Sequence, residues 1–181
     1  MKIEEYAKFN DEELANIFKN AVDIITNNKP RKEEAVAVLE FIKKEWARRK
    51  ELYLEGKIRV KFPEKGMLST LGYVAGQMNM ESRHYLLKHI VTSNDLPFVQ
   101  SPVYMASWGE VLSGKRLAKL SYLLWNLINK KRYKTEDFYH RTETRENWKD
   151  DLEYLYQEYY KDKHNFRWPV VRKNKSKRAI S

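Results

Sequence analysis

Apolar residues recur every three or four positions over several stretches of the chain, which is the pattern of amphipathic α-helices. The first stretch covers residues 11–27, where Asn10 is a capping residue and acidic side chains occupy the first turn. The second begins at Pro30, a residue favoured in the first turn of a helix, and continues to about Gly56. Because only a short link separates these two helices, they are predicted to pack as an antiparallel hairpin.

The rest of the chain predicts shorter helices. They are expected over residues 67–75, 80–92, 102–107, 113–130 and 144–161. Residues 57–62 alternate basic and apolar side chains, which predicts an extended connector or a short edge strand. The sequence therefore predicts an all-α fold, with one compact helical domain over residues 1–169 and a basic, flexible tail over residues 170–181.

The composition narrows the class of protein. Of the 181 residues, 42% are hydrophobic and 13% aromatic, which is enough to bury a core and excludes a wholly disordered chain. The lack of cysteine excludes disulfides, thiolate metal sites and a cysteine nucleophile. The first residues lack the apolar core of a signal peptide, and no apolar run approaches the ~20 residues that span a bilayer. We therefore expect a cytoplasmic protein that does not contact membranes.

The charge is unevenly distributed. The chain has a formal net charge of +10, of which residues 1–110 carry +1 and residues 111–181 carry +9. No acidic residue lies between Glu110 and Glu136, or after residue 164. The basic residues expected to contact nucleic acid are Lys115, Arg116, Lys119, Lys130, Lys131, Arg132, Arg172, Lys173, Lys175, Lys177 and Arg178.

Three of these cations occupy the first turns of a predicted helix that Ser113 caps. A cation at the start of a helix opposes the helix dipole at a cost of roughly 0.3–1 kcal/mol. Lys115, Arg116 and Lys119 therefore indicate a bound anion such as phosphate. Polybasic tails bind nucleic acid through phosphate contacts and counterion release. The first hypothesis is a non-catalytic accessory or regulatory protein that contacts nucleic acid, with DNA and RNA left open.

An acidic stretch between the two basic regions favours a second hypothesis. Its members are Glu143, Glu146, Asp150, Asp151, Glu153 and Glu158. A chain with basic and acidic faces is suited to dock on a larger protein, as an adaptor subunit of an enzyme or a defence-type complex. Adjacent residues lie about 100° apart around a helix, so Asp150 and Asp151 do not form a catalytic carboxylate pair. The acidic helix is interpreted as a solvent-facing surface.

Motifs for cofactors are missing from the sequence. It has neither a phosphate-binding P-loop nor a glycine-rich dinucleotide motif. His84 and His89 are five residues apart, about 140° around a helix, and therefore do not chelate one metal ion. No metal and no cofactor are expected, and the number of subunits is left open.

The segment from Arg83 to His89 matches the pattern R-x(4–6)-H. It resembles the signature of HEPN-type ribonucleases, which are small all-α proteins. The resemblance implies that Arg83 stabilises phosphate and that His89 is a general acid or base, without a metal. A HEPN-like ribonuclease is the third hypothesis.

A broader set of motifs covers about residues 35–169. It comprises Gly66-Met67-Leu68, Leu71-Gly72-Tyr73, Arg83, Leu96-Pro97, Ser101-Pro102 with Tyr104, Trp108-Gly109, Ser113 with Arg116-Leu117, Trp148 with Asp151-Leu152, Tyr159-Tyr160 and Phe166-Arg167-Trp168-Pro169. This set resembles a pattern in small bacterial proteins of unknown function. The resemblance implies one compact domain and assigns no site residues, and we expect a bacterial or phage protein.

Overall fold

The computed structural model describes residues 8–59, 65–97, 101–129 and 138–171. These residues form helices and no strand, which confirms the predicted all-α fold. The helices are α1 (Asp11–Thr26), α2 (Lys32–Leu54), α3 (Met67–Thr70), α4 (Met80–Thr92), α5 (Pro102–Ala106), α6 (Gly114–Asn129) and α7 (Phe138–Leu155). The predicted strand or connector over residues 57–62 lies partly outside the described residues, and its described part, residues 57–59, is irregular.

A complete capping box starts α1. The Asn10 side chain accepts a hydrogen bond from the Glu13 backbone N–H at 2.9 Å, and the Glu13 carboxylate accepts one from the Asn10 N–H at 2.7 Å. Two of the N–H groups that a helix start leaves unpaired are thereby satisfied. Arg49, near the end of α2, donates to the Asp11 carboxylate at 2.8 Å, so the end of α2 lies beside the start of α1.

One hydrophobic core joins the long helices. The main contacts connect α2 with α1, α1 with α4, α4 with α7, and α7 with α6. The centre of this core contains fully enclosed side chains such as Phe18, Ile42, Leu86 and Leu120. None of the described helices is both long enough and apolar enough to span a membrane.

The chain turns back on itself after α7. α7 ends in a π turn, Tyr156–Tyr160, in which the Lys161 N–H donates to the Tyr156 carbonyl at 2.9 Å. The Tyr160 ring packs against Phe166 and Trp168, with ring centroids 4.9 and 4.7 Å apart. The Tyr160 hydroxyl also donates to the Phe166 carbonyl. These aromatic contacts hold residues 164–171 against the end of α7.

Candidate nucleic-acid interface

Arg116 is buried at the start of α6, with 6% of the residue exposed. Its guanidinium donates to the Ile90, Ser93 and Gly109 carbonyls at 3.2, 2.7 and 2.8 Å. Ile90 and Ser93 lie at the end of α4, where the helix dipole favours a cation. Burial lowers the pKa of Arg116. This side chain therefore joins α4 to α6 and does not face solvent, where a phosphate would meet it.

Lys119 also makes contacts within the protein. Its Nζ lies 4.0 Å from the centre of the Tyr104 ring and 4.8 Å from that of Trp108, and it donates to the Ser107 hydroxyl. Contacts of a cation with aromatic faces are attractive. Burial, and then the charge of Lys115, lowers the pKa of Lys119. The main role of Lys119 in this arrangement is to hold α5 and the turn after it against α6.

Lys115 is the exposed member of the three cations. Its Nζ donates to the Ala106 carbonyl at 3.1 Å, an exposed contact from which water or an anion can displace it. Ser113 caps the helix as predicted, because its hydroxyl accepts from the Arg116 N–H at 3.2 Å. The structure thus leaves one of these three cations, Lys115, on the surface at the start of α6.

The C-terminal segment is bound to the middle of α6. The Tyr122 hydroxyl donates to the Arg167 carbonyl at 3.1 Å, and the Trp125 indole donates to the Val170 carbonyl at 3.0 Å. The Asn129 side chain donates to the Trp125 carbonyl at 2.7 Å. Trp125 therefore contacts the residue that precedes Lys130 and a residue two positions before Arg172.

Most of the predicted cations fall on parts of the chain that the structure does not describe. These are Lys130, Lys131, Arg132, Arg172, Lys173, Lys175, Lys177 and Arg178. The structure describes residues just before these two basic stretches, and of these Asn129 and Val170 both contact Trp125.

Arg83 and His89 do not share a site. The Nε of Arg83 donates to both carboxylate oxygens of Asp151, at 3.1 and 3.0 Å. His89 is 6% exposed and packs against the Phe18 ring, with centroids 5.1 Å apart. Burial lowers the pKa of His89 to about 4. A buried histidine that faces the core is in no position to protonate a substrate, so the geometry gives no support to the ribonuclease hypothesis.

A buried polar cluster surrounds Asp151, which is fully enclosed. Its carboxylate accepts from the Tyr73 hydroxyl and from Arg83. The His84 Nε2 lies 3.3 Å from the same carboxylate without hydrogen-bond geometry, and the His84 ring stacks on Tyr154 at 3.9 Å. Burial raises the pKa of Asp151, an effect that the Tyr73 hydrogen bond and the Arg83 charge oppose.

This cluster joins three parts of the fold, namely the loop that contains Tyr73, α4 and α7. Asp151 was expected on a solvent-facing acidic surface, and its burial differs from that expectation. A signal was present, since Tyr73, Arg83 and Asp151 all belong to the broad motif set described above. The hydrogen-bond donors of this cluster point to the buried Asp151 carboxylate, an arrangement typical of a structural role.

Neither a metal site among the described residues nor a similar known protein indicates a further candidate site. Within the described parts of the chain, no three His, Asp or Glu side chains are grouped closely enough to hold a metal ion. No family model matches the chain, and no curated protein or solved structure matches it either. Function is therefore inferred from the residues and contacts given above.

Proposed function

We propose that the protein binds nucleic acid, as a non-catalytic accessory or regulatory protein, through the basic stretches 130–134 and 172–178. Together these stretches carry nine basic residues and no acidic one. The observation that carries the proposal is the double contact of Trp125, whose carbonyl accepts from Asn129 and whose indole donates to Val170. Described residues just before each of these two runs of cations, Asn129 and Val170, thus both contact Trp125, one at its backbone and the other at its side chain.

The contacts of α6 distinguish the cations that stabilise the fold from the one that is suited to contact phosphate. Arg116 and Lys119 stabilise the packing of α4, α5 and α6, as their bonds to carbonyls, a hydroxyl and aromatic rings indicate. Lys115 is exposed and is suited to add a phosphate contact. The basic stretches supply most of the affinity in this proposal.

Binding that depends on phosphate contacts releases counterions and weakens with salt. For roughly five phosphate contacts with a duplex, the association constant is expected to fall about 500-fold between 50 and 200 mM salt. The type of nucleic acid is addressed by comparing labelled single-stranded and double-stranded DNA and RNA of one length.

The test compares two triple variants by fluorescence anisotropy over a salt series. K130A/K131A/R132A is expected to bind at least about tenfold more weakly and to show a shallower salt dependence. The matched control, K32A/K44A/K50A, removes the same charge from exposed positions of α2 and is expected to change binding little. Absence of salt-dependent binding by the wild type, or an equal loss in the control, would refute the proposal.

An adaptor role is a second proposal, and exposed apolar residues favour it. Val103 on α5 is 80% exposed, and Leu112 is 54% exposed with a left-handed backbone (φ 57°) that is costly for a leucine. A partner that covers these two side chains would remove apolar surface from water, which favours association. A partner that co-purifies with the wild type and is lost from V103S/L112G supports this role, whereas recovery of an equal amount with both proteins contradicts it.

A further inference from the structure

A groove of about 840 Å³ runs between α7 and the C-terminal segment. One wall is the exposed side of α7, and the other is formed by residues 168–171. Val171, the last described residue, lines the groove, so the chain enters its final ten residues from the groove wall.

The α7 wall carries more negative than positive charge. Three acidic residues, Glu146, Asp150 and Glu153, and two basic ones, Arg145 and Lys149, line the groove. Lys149 pairs with Glu146 at 2.5 Å, which leaves two carboxylates against Arg145. Asp150 is exposed and pairs with no cation among the described residues, and Glu153 accepts a hydrogen bond from the neutral amide of Gln157. The groove therefore has carboxylate oxygens available for a cationic ligand.

Aromatic rings form part of the lining. Tyr156, Tyr160 and Trp168 are half-buried and pack on one another, with the Tyr156 and Trp168 rings 5.5 Å apart. Aromatic faces attract lysine and arginine, and carboxylates pair with them. The combined chemistry favours a basic peptide over an anionic or a purely apolar ligand.

We propose that this groove binds the chain's own basic tail, residues 172–181, and thereby competes with nucleic acid for it. The tail has five basic residues and no acidic one. Its ten residues reach at most about 35 Å when extended, which exceeds the ~27 Å length of an 18-residue helix. Because the tail starts at the groove, its effective concentration there is on the order of millimolar, and weak contacts suffice.

The competition with nucleic acid rests on the proposed function, whereas the binding of the tail to the groove does not involve nucleic acid. A first experiment therefore uses protein and peptide alone. A chain that lacks residues 172–181 is titrated with the synthetic peptide 172–181, while the assigned indole resonance of Trp168 is followed by NMR. We expect a shift that saturates with a dissociation constant of roughly 100 µM or less, because the tethered tail occupies most of the groove only if this constant lies well below its effective concentration.

The matched variants decide whether the groove is the binding site. D150N/E153Q in the truncated chain is expected to weaken peptide binding at least about fivefold, since it removes the two available carboxylates. The control E33Q/E51Q removes the same charge from exposed positions of α2 and is expected to leave binding unchanged. Absence of peptide binding, or equal binding by D150N/E153Q, would overturn the inference whether or not the protein binds nucleic acid.

A second experiment tests the competition. In the full chain, D150N/E153Q is expected to bind a labelled oligonucleotide at least about threefold more tightly than the wild type, as removal of a competitor predicts. The same substitutions in the truncated chain, and E33Q/E51Q in the full chain, are expected to change this affinity by less than about twofold. If D150N/E153Q raised the oligonucleotide affinity equally in the full chain and in the truncated chain, the result would contradict competition. Loss of oligonucleotide binding by every variant would refute the proposed function and the competition, and leave the peptide result standing.

Discussion

The Asp151 carboxylate is buried, and its partners are hydrogen-bond donors and a positive charge of the protein itself. The carboxylate is fully enclosed, and Arg83, 3% exposed, is its cationic partner. Removal of one member of a buried ion pair typically costs about 3–5 kcal/mol, because the other charge is left alone in a medium of low polarity. The free energy of unfolding should therefore be sensitive to this one residue.

Asp151→Asn is expected to lower the free energy of unfolding by about 3 kcal/mol. The neighbouring Asp150→Asn is a matched control on the exposed side of α7 and is expected to change it by less than about 0.5 kcal/mol. Urea unfolding followed by circular dichroism measures both values. Similar effects for the two substitutions would show that the Arg83 pair does not stabilise the fold.

His89 makes the stability depend on pH. Burial lowers its pKa from 6.5 to about 4, so between these pH values the unfolded chain binds a proton that the folded chain does not. Stability therefore rises with pH through this window and falls as the pH drops from 6.5 towards 4. The loss attributable to His89 is expected to reach about 3 kcal/mol at the low end.

The difference between the wild type and His89→Leu isolates this contribution. His84, whose pKa is lowered by burial, and Asp151, whose pKa is raised by burial, titrate in both proteins and cancel in the difference. Urea unfolding at several pH values between 7 and 4.5 is the measurement. A difference between the two proteins that stays constant with pH would contradict the assignment.

At the scale of single elements, α1 depends on its capping box. Substitution of a capping Asn by Ala typically costs about 1 kcal/mol, since the Glu13 backbone N–H loses its acceptor. Asn10→Ala is therefore expected to lower the free energy of unfolding by about that amount. Asn20→Ala, an exposed position in the same helix, is expected to leave stability unchanged or slightly raised, because Ala favours a helix interior. Chemical unfolding compares them, and an equal loss in both would contradict a capping effect.

Element boundaries were predictable where a local signal exists. Asn10, Asn79 and the pair Ser101-Pro102 mark helix starts in the sequence, and each lies at the start of a helix in the structure. The helix predicted over residues 67–75 ends at Thr70, because Gly72 adopts a left-handed backbone (φ 76°) that breaks it. The helix predicted over residues 144–161 begins earlier, at Phe138, and changes to a π turn at Tyr156.

The candidate site was less predictable, because its contacts join distant parts of the sequence. Arg116 lies four residues before the buried Leu120, and Asp151 lies four before the buried Leu155, so both share the buried face of their helix, whereas their charges had predicted solvent-facing positions. Their partners are 26 and 68 residues away, and nothing in the local sequence identifies them. The hydrogen bond from Trp125 to Val170 likewise joins residues that are far apart in the sequence, by 45 positions.

At the scale of the whole molecule, stability and nucleic-acid binding are expected to depend on different residues. Deletion of residues 172–181 is expected to weaken binding with little change in the free energy of unfolding. Arg116→Met is expected to lower that free energy by about 2 kcal/mol, because three carbonyls lose a charged donor. Binding by anisotropy at a temperature where both variants are folded is the measurement. A loss for Arg116→Met as large as that of the deletion would show that Arg116 contacts the ligand.

The π turn at Tyr156–Tyr160 also bears on how such a protein changes in evolution. A π turn holds one residue more than an α turn, so removal of the exposed Gln157 would allow regular α geometry to continue. The wider turn absorbs its extra residue, so the segment after this deletion would keep nearly the same orientation. Tyr160 would still meet Trp168, and Val170 would still meet Trp125. A one-residue deletion in the regular part of α7 would instead rotate the end of the chain by about 100°, so the π turn is the place where this helix can lose a residue without redirecting the segment that follows.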